Sequence, residues 1–296
     1  MRFQRVPCRL PLRAPTRWLA AVGVFVFGAA LVVTPSYARG KSDSKTKPGA
    51  GKSDKESKSS DGTKAKSSSR HRGCPKEMVL VDASKGPATA RFHGRVCIDK
   101  WEASLVEKKG GAWVAFSPYE NPAGKTVKAV SRAGVVPQAY VSKNDAEAAC
   151  QAAGKRLCAE AEWVTACEGK KGTTFPYGND RKDAVCNDNG KAPLATLYPK
   201  LSAPDLYGAQ TMNDPRLNQQ PGTVSKTGRH GKCKSSFGAY DLVGNLHEWV
   251  DDPNGTFRGG YYLDTAQNGD GCHYRTDAHD VAYHDYSTGF RCCKDG

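Results

Sequence analysis

The sequence lacks several features that mark common protein classes. None of its cysteines forms a CxxC pair and its histidines do not alternate with cysteines, which argues against a structural zinc site. No internal repeat is visible, so a solenoid or propeller is not expected. No acid occurs among residues 1–38, and no apolar run there reaches the roughly 20 residues that a membrane-spanning helix needs.

Residues 1–38 have the pattern of a secretory signal peptide. Five arginines flank the start of an apolar run from Trp18 to Val33, and Ser36 and Ala38 stand at positions −3 and −1 of a cleavage site. We expect cleavage and a secreted or periplasmic location. The alternative is a chain anchored in the membrane by residues 18–33.

Residues 39–73 form a linker of lysine, serine, glycine, aspartate and threonine, which cannot bury enough surface to fold and is expected to be disordered. This segment contains eleven basic residues and four acids, a net charge of about +7. Together with the five N-terminal arginines, this net charge accounts for 12 of the formal +14 of the whole chain. Charge confined to a tail does not favour nucleic-acid binding by the remaining domain. It favours contact with an anionic envelope surface, or a solvated tether without a partner.

Residues 74–296 are long enough for one domain with its own core. A capping box at Ser142 and Asp145 predicts a helix that ends at Gly154, and a second helix is predicted from about Ala159 to Cys167. Strands are predicted at 78–82, 95–104, 257–263 and 289–293. The long connections between these elements predict cross-links or bound ions.

The ten cysteines that follow the signal segment predict disulfides, because an exported, loop-rich domain with an even number of cysteines is usually cross-linked. The sequence alone does not give their connectivity. Cys186 and Cys233 flank the middle of the domain and are candidates for a pair. Such a bridge is worth ~4 kcal/mol in the chain-entropy model.

Residues 237–260 combine two glycine elements with oxygen ligands. Gly244-Asn245 predicts a tight turn, and Gly259-Gly260 predicts a close backbone approach. A hard cation such as calcium prefers the oxygen atoms that lie between them, on Asn245, Glu248, Asp251 and Asp252. The alternative is a polar turn beside a buried Trp249.

The motif GAYDLVGNLHEW, followed by FRGGYY and GFRC, resembles the core signature of the formylglycine-generating enzyme family, also called sulfatase-modifying factor domains. The block DAEAACQAAGKRLCAEAEWVTACEG, followed by FPYGND, supports the resemblance, which covers roughly residues 74–296. It implies an α+β, sulfatase-modifying-factor (C-type-lectin-like) fold with much irregular structure, stapled by disulfides.

The resemblance also implies disulfides and metal ligands. Its bridges correspond to Cys150–Cys292 and Cys167–Cys272. For the cysteines that remain we expect Cys97–Cys158 and Cys74–Cys293. Family calcium sites correspond to Asn245, Leu246 through its backbone oxygen, and Glu248, with a second site that begins at Asn187.

The residues that carry the family's chemistry are not matched. Family enzymes oxidise a substrate cysteine with two cysteines that bind copper(I), an ion that soft thiolates select. The corresponding positions are Asp264 and Gly269, so copper is not expected. Histidines and carboxylates at 273–285 are a further metal-ligand candidate, but the five-residue spacing of His279 and His284 suits neither a helix nor a strand face. We interpret them as a polar loop, and His247 as a packed histidine.

The sequence therefore predicts an exported, monomeric domain that lacks copper-dependent activity and acts as a binding or scaffold module at the cell envelope. Its ligand would be a protein, a peptide or a glycan. The alternatives are a metal-dependent oxidase of the formylglycine-generating type and a structural envelope protein. A binding module should expose aromatic side chains, for which the candidates are Trp113, Tyr119, Tyr261, Tyr262, Tyr283 and Tyr286.

Overall fold

The computed structural model describes residues 73–296; the predicted signal peptide and all but the last residue of the predicted linker lie outside the described residues. Short strands and short helices alternate with long irregular segments, which confirms the α+β class. The strands are β1 (Met78–Asp82), β2 (Arg95–Asp99), β3 (Ala103–Lys109), β4 (Ala112–Ala115), β5 (Val127–Ser131), β6 (Arg156–Leu157), β7 (His247–Trp249), β8 (Phe257–Arg258), β9 (Arg275–Thr276), β10 (Thr288–Phe290) and β11 (Cys292–Asp295). The helices are α1 (Lys143–Ala152), α2 (Glu160–Glu168), α3 (Pro193–Leu197), α4 (Ala203–Leu206) and α5 (Ala209–Met212).

The described strands form three small sheets. The first has the order β1-β2-β11-β6 and is antiparallel throughout. The second has the order β10-β7-β8-β9, with β10 and β7 parallel. The third is the antiparallel β4-β3-β5 sheet. Strand β7 begins two residues after Asn245, so the second sheet holds the predicted turn, and β10 brings the C-terminal segment beside it.

Helix α1 begins as the sequence predicts. The Ser142 hydroxyl oxygen accepts a hydrogen bond from the Asp145 backbone N–H at 3.1 Å, and the same hydroxyl donates to the Asp145 carboxylate at 2.5 Å. Ala146 and Ala149 point into the core, and Gly154 takes a φ of 67° after the helix ends. Ser142 therefore caps the helix as predicted, while the Asp145 carboxylate binds the Ser142 hydroxyl and not its backbone N–H as in a full capping box.

Two predicted strands are interrupted. The predicted strand 95–104 is β2 and the start of β3, which belong to different sheets. The predicted strand 257–263 ends at Arg258, because Gly259 and Gly260 have φ values of 82° and 70°, which extended strands do not adopt.

The predicted strand 289–293 is also divided. Strand β10 ends at Phe290 and β11 begins at Cys292, in different sheets. Arg291 lies at the break with its side chain fully buried. The division therefore places a charged group inside the domain.

All ten cysteines of the described residues are paired. The pairs Cys150–Cys292 and Cys167–Cys272 are those that the family resemblance implies, and Cys186–Cys233 is the pair suggested by the positions of its cysteines. Among the described residues, no helix is long and apolar enough to cross a membrane.

The expected pairs Cys97–Cys158 and Cys74–Cys293 are wrong. The structure joins Cys74 to Cys97 and Cys158 to Cys293. Cys158 and Cys293 share the main core cluster with Ile98. Because successive strand residues face opposite sides, Cys97 points away from that cluster and meets the N-terminal segment instead.

Candidate functional site

The Gly244-Asn245 turn forms as predicted. Both residues are left-handed, with φ values of 75° and 63°. A Cβ at position 244 would lie 2.2 Å from the backbone oxygen of Asn187, so only glycine fits. The Asn187 side-chain NH₂ donates to the Asn245 side-chain oxygen at 2.9 Å, and the Asn245 backbone N–H donates to the Asn187 carbonyl at 2.8 Å. The structure therefore brings together the two predicted metal segments.

Glu248 lies behind this turn and is bound by two donors. The guanidinium of Arg291 donates to its carboxylate at 2.5 and 2.6 Å, and the indole N–H of Trp163 donates at 2.6 Å. Trp163, Glu248 and Arg291 are all fully or almost fully buried. Both oxygens of Glu248 are thus occupied by protein donors.

Two further buried carboxylates surround this ion pair. The Glu102 carboxylate accepts from the Asn245 side-chain NH₂ at 2.5 Å and from the Leu246 N–H at 3.2 Å. Burial first, then Asp241 and Glu248, raise the pKa of Glu102 well above its usual value. Burial also raises the pKa of Asp241 to about 6, although the Gly228 N–H donates to it at 2.6 Å. We call Glu102, Asp241, Glu248 and Arg291 the buried charge cluster.

The buried charge cluster fits calcium in charge but not in arrangement. Three carboxylates face one guanidinium, and this excess of negative charge suits a divalent cation. Glu248, however, is turned to Arg291 and Trp163. Among the described residues, no group of three or more His, Cys, Asp or Glu side chains is placed to hold a metal ion.

Asp188, next to the predicted ligand Asn187, is a buried carboxylate outside the buried charge cluster. Its side chain is buried and neither carboxylate oxygen has a hydrogen-bond partner. The guanidinium of Arg181 lies 3.4 Å away. Burial raises the pKa of Asp188.

The two positions of the family's copper cysteines lie in a loop that is held without thiols. The Asp264 carboxylate accepts from the backbone N–H groups of Ala266 and Gln267, each at 3.0 Å, and from the Tyr274 hydroxyl at 2.9 Å. At Gly269, φ is 103° and a Cβ would lie 2.8 Å from the His273 carbonyl oxygen. Asp264 therefore caps its own loop, and position 269 favours glycine.

The histidines near the C-terminus do not converge on one point. His247 is packed between Phe257 and Tyr261, and burial lowers its pKa to about 3. His279 stacks on Phe257 at 4.4 Å between ring centroids, whereas His284 lies 2.7 Å from the Asn213 side-chain oxygen. His247 and His279 share the Phe257 ring, whereas His284 has a different neighbour, and the burial of His247 agrees with its interpretation as a packed residue.

The six candidate aromatic residues do not form one exposed patch. Tyr262 and Tyr286 belong to the core, and Tyr119, Tyr261 and Tyr283 are partly buried. Trp113 is the member of this set that is exposed, at 42%. It lies on β4, in a different sheet from the turn.

The family model for the sulfatase-modifying factor enzyme 1-like domain matches residues 93–296. The chain belongs to this family. The buried charge cluster and the capped loop thus occupy a sulfatase-modifying-factor domain, as the resemblance implied.

Similar proteins of known name share part of the domain. The inactive C-alpha-formylglycine-generating enzyme 2 of Bos taurus is 32% identical over 146 residues, which is 44% of this chain and 40% of that protein. The formylglycine-generating enzyme of Mus musculus is 32% identical over 117 residues, 39% of this chain and 27% of that protein. The chain thus spans less than half the length of these relatives.

Solved structures with a similar fold are more distant. PvdO from Pseudomonas aeruginosa is 16% identical with a TM-score of 0.41, covering 69% of this chain and 82% of that one. CarF is 16% identical with a TM-score of 0.43, covering 75% and 98%.

Sequence reasoning missed three members of the buried charge cluster, Glu102, Asp241 and Arg291. Glu102 lay inside a predicted strand, and Arg291 stood in the GFRC motif without a partner. Their partners are distant in sequence, because Arg291 meets Glu248 43 residues away and Glu102 meets Asn245 143 residues away. A charged residue within an apolar strand is the signal that marks such positions, since buried charges are usually paired.

Proposed function

We propose that the chain is an exported sulfatase-modifying-factor-like domain that lacks copper-dependent formylglycine-generating activity and acts as a binding or scaffold module at the cell envelope. The observation that carries the proposal is the pairing of all ten described cysteines in disulfides. The family's copper site uses a pair of thiolates, soft ligands that select copper(I). The corresponding positions hold a capping aspartate and a glycine.

Two other facts support this proposal. A relative similar over 44% of the chain bears the name of an inactive formylglycine-generating enzyme. Disulfides form and persist in oxidising compartments, which agrees with export through the predicted signal peptide at 1–38. The position of the chain at the envelope, and its protein, peptide or glycan ligand, are part of the proposal.

A copper(I) titration against a competing chelator tests the loss of copper chemistry. Performed anaerobically on the exported chain, with a formylglycine-generating enzyme as the positive reference, it should show no copper held by the chain. One equivalent of copper, released when thiols are alkylated, would favour the alternative of a metal-dependent oxidase.

Calcium at Asn245, Leu246, Glu248 and Asn187 stays a prediction. The excess negative charge of the buried charge cluster supports it, whereas the contacts of Glu248 with Arg291 oppose it. Thermal unfolding with calcium and with a chelator decides whether the ion binds. The Glu102→Gln variant, which has one carboxylate fewer in the buried charge cluster, is measured for comparison. A melting temperature raised by calcium in the wild type, and raised less in the variant, would support the ion; equal melting temperatures would remove it.

A further inference from the structure

The strands β3 and β4 form a hairpin that extends beyond its sheet. Gly110 and Gly111 join them with φ values of 56° and 85°, the two consecutive positive values of a tight hairpin turn. Strand β5 pairs with β3 only from Ala103 to Glu107. The Lys108 backbone N–H still donates to the Thr126 carbonyl at 2.9 Å, and past Lys108 the hairpin is two-stranded within its sheet.

The end of this hairpin carries exposed apolar side chains. Every residue from 108 to 115 is exposed, so this segment contributes nothing to the core. Trp113 is 42% exposed and Val114 is 40% exposed. Because neighbouring strand residues face opposite sides, the two side chains lie on opposite faces of the hairpin. We call residues 108–115 the hairpin tip.

Lysines lie beside Trp113, whereas Val114 stands opposite Glu107 in the strand pairing. Lys108 lies opposite Trp113 in the strand pairing, and the Lys128 ammonium lies 4.3 Å from the centroid of the Trp113 ring. Lys109 pairs with Glu107 at 2.7 Å. From residue 108 to residue 119 the sequence contains no acid. The hairpin tip therefore combines positive charge with an amphipathic aromatic ring.

We propose that the hairpin tip docks on a bilayer that contains anionic lipids, with Trp113 and Val114 entering the headgroup region. A rigid protein surface would cover one face of the hairpin, whereas a fluid interface receives both faces at once. Tryptophan is enriched at membrane–water interfaces, and lysine keeps its charge in water while its stem lies on apolar surface. Basic residues near an anionic surface add electrostatic attraction.

The positive charge of residues 39–73 is complementary to the same anionic membrane surface. Residues 39–73 carry eleven basic residues against four acids immediately before the domain. Two signals, one apolar and one basic, are what stable membrane attachment takes. The inference rests on the proposed location at the envelope.

Vesicle sedimentation of the exported chain tests this inference. The probe is vesicles of phosphatidylglycerol and phosphatidylcholine in about 0.1 M salt, where electrostatic attraction still acts over ~10 Å. The double variant Trp113→Ser/Val114→Ser should bind about tenfold more weakly, since interfacial binding scales with buried apolar area.

The matched control is Leu201→Ser/Tyr207→Ser, which removes two other exposed apolar side chains, 41% and 65% exposed. It should bind as the wild type does. All four side chains lie at the surface, and thermal unfolding of each variant checks that the domain stays folded.

Equal binding by the wild type and the hairpin variant would overturn the inference. A different result would overturn it in favour of a cell-surface polymer: the wild type does not bind vesicles, and the hairpin variant loses binding only to an immobilised acidic polysaccharide. The assay involves neither thiols nor copper, so its failure is distinct from a failure of the proposed loss of copper chemistry.

A second readout uses tryptophan fluorescence. If Trp113 enters the interface, vesicles should shift the wild-type emission to shorter wavelength, and Trp113→Phe should lose most of that shift while still binding. An undiminished shift in Trp113→Phe would show that another tryptophan reports the contact, and would contradict the inference.

Discussion

The two glycine turns of the C-terminal half lead into regions that are held together in opposite ways. Behind Gly244-Asn245, charged side chains are buried and satisfy one another: Arg291 binds Glu248, and Glu102 binds the turn itself. After Gly259-Gly260, the loop is held by backbone hydrogen bonds, the Cys167–Cys272 bridge and Asp264. The family motif is matched in the first region, whereas the copper cysteines are absent from the second.

This difference separates the scaffold from the chemistry. The buried charge cluster connects strands of two sheets, because Arg291 also donates to the carbonyl of Asp99 on β2 at 3.1 Å. The second loop contacts the core through Tyr262, Cys272 and Tyr274, whereas Asp264 is half-buried and Gly269 is exposed. A domain of this fold can therefore lose the reactive cysteines of the second loop and still fold. Replacement of the charged residues of the first region should instead destabilise the domain.

The largest effect is expected from Arg291→Leu. The variant leaves the buried Glu248 without its cation, which costs about 3–5 kcal/mol of the free energy of unfolding. Urea unfolding measures it. The control is Arg216→Ala, which removes a largely exposed guanidinium from its pair with Asp214 and should change the midpoint much less.

A second variant sharpens this result. Glu248→Gln combined with Arg291→Met removes both charges but keeps an acceptor for Trp163, so it should recover much of the loss. If Arg291→Leu alone changed the stability by less than about 1 kcal/mol, the buried charge cluster would not be what holds this region.

The next largest effect is a pH dependence at Asp241. Burial raises the pKa of Asp241 from 3.8 to about 6. Between these two pH values the folded protein holds a proton that the unfolded chain releases. The contribution of Asp241 to the free energy of unfolding is therefore full below about pH 4 and is lost as the pH rises through about 6. Asp241→Asn cannot ionise, and its stability relative to the wild type should rise over this window by on the order of 2 kcal/mol.

Urea unfolding at several pH values between 4 and 7 measures this difference. A flat difference between Asp241→Asn and the wild type over this window would contradict the raised pKa of Asp241.

The smallest effect is expected from Asp264→Ala in the second loop. The substitution removes acceptors from two backbone N–H groups and from the Tyr274 hydroxyl. A loss of about 1 kcal/mol is expected, because these bonds are partly exposed. Asp270→Ala, in the same loop, is the control. A loss as large as that of Arg291→Leu would contradict the contrast between the two regions.

Local patterns predicted local structure well. The Ser142 cap, the Gly244-Asn245 turn and β1 are set by neighbouring residues, and the structure has them where the sequence places them. The bridge Cys167–Cys272 followed from the family resemblance and not from local pattern.

Features that depend on distant residues were harder to predict. The pairing of Cys97 depends on which face of β2 it occupies, and that face is set by sheet contacts. The burial of Glu102 and Arg291 depends on strands far apart in sequence. The exposure of the hairpin tip depends on where β5 stops pairing with β3.

The most direct test of the account is a free-thiol count on the exported chain, denatured without reductant, together with metal analysis. The account predicts no free thiol, or one if Cys8 has not been removed with the signal segment, and no copper. Cys167→Ser should add one thiol, from Cys272, and so checks the sensitivity of the count. Two or more thiols in the wild type, or bound copper, would contradict the claim that this domain has lost the family's copper chemistry.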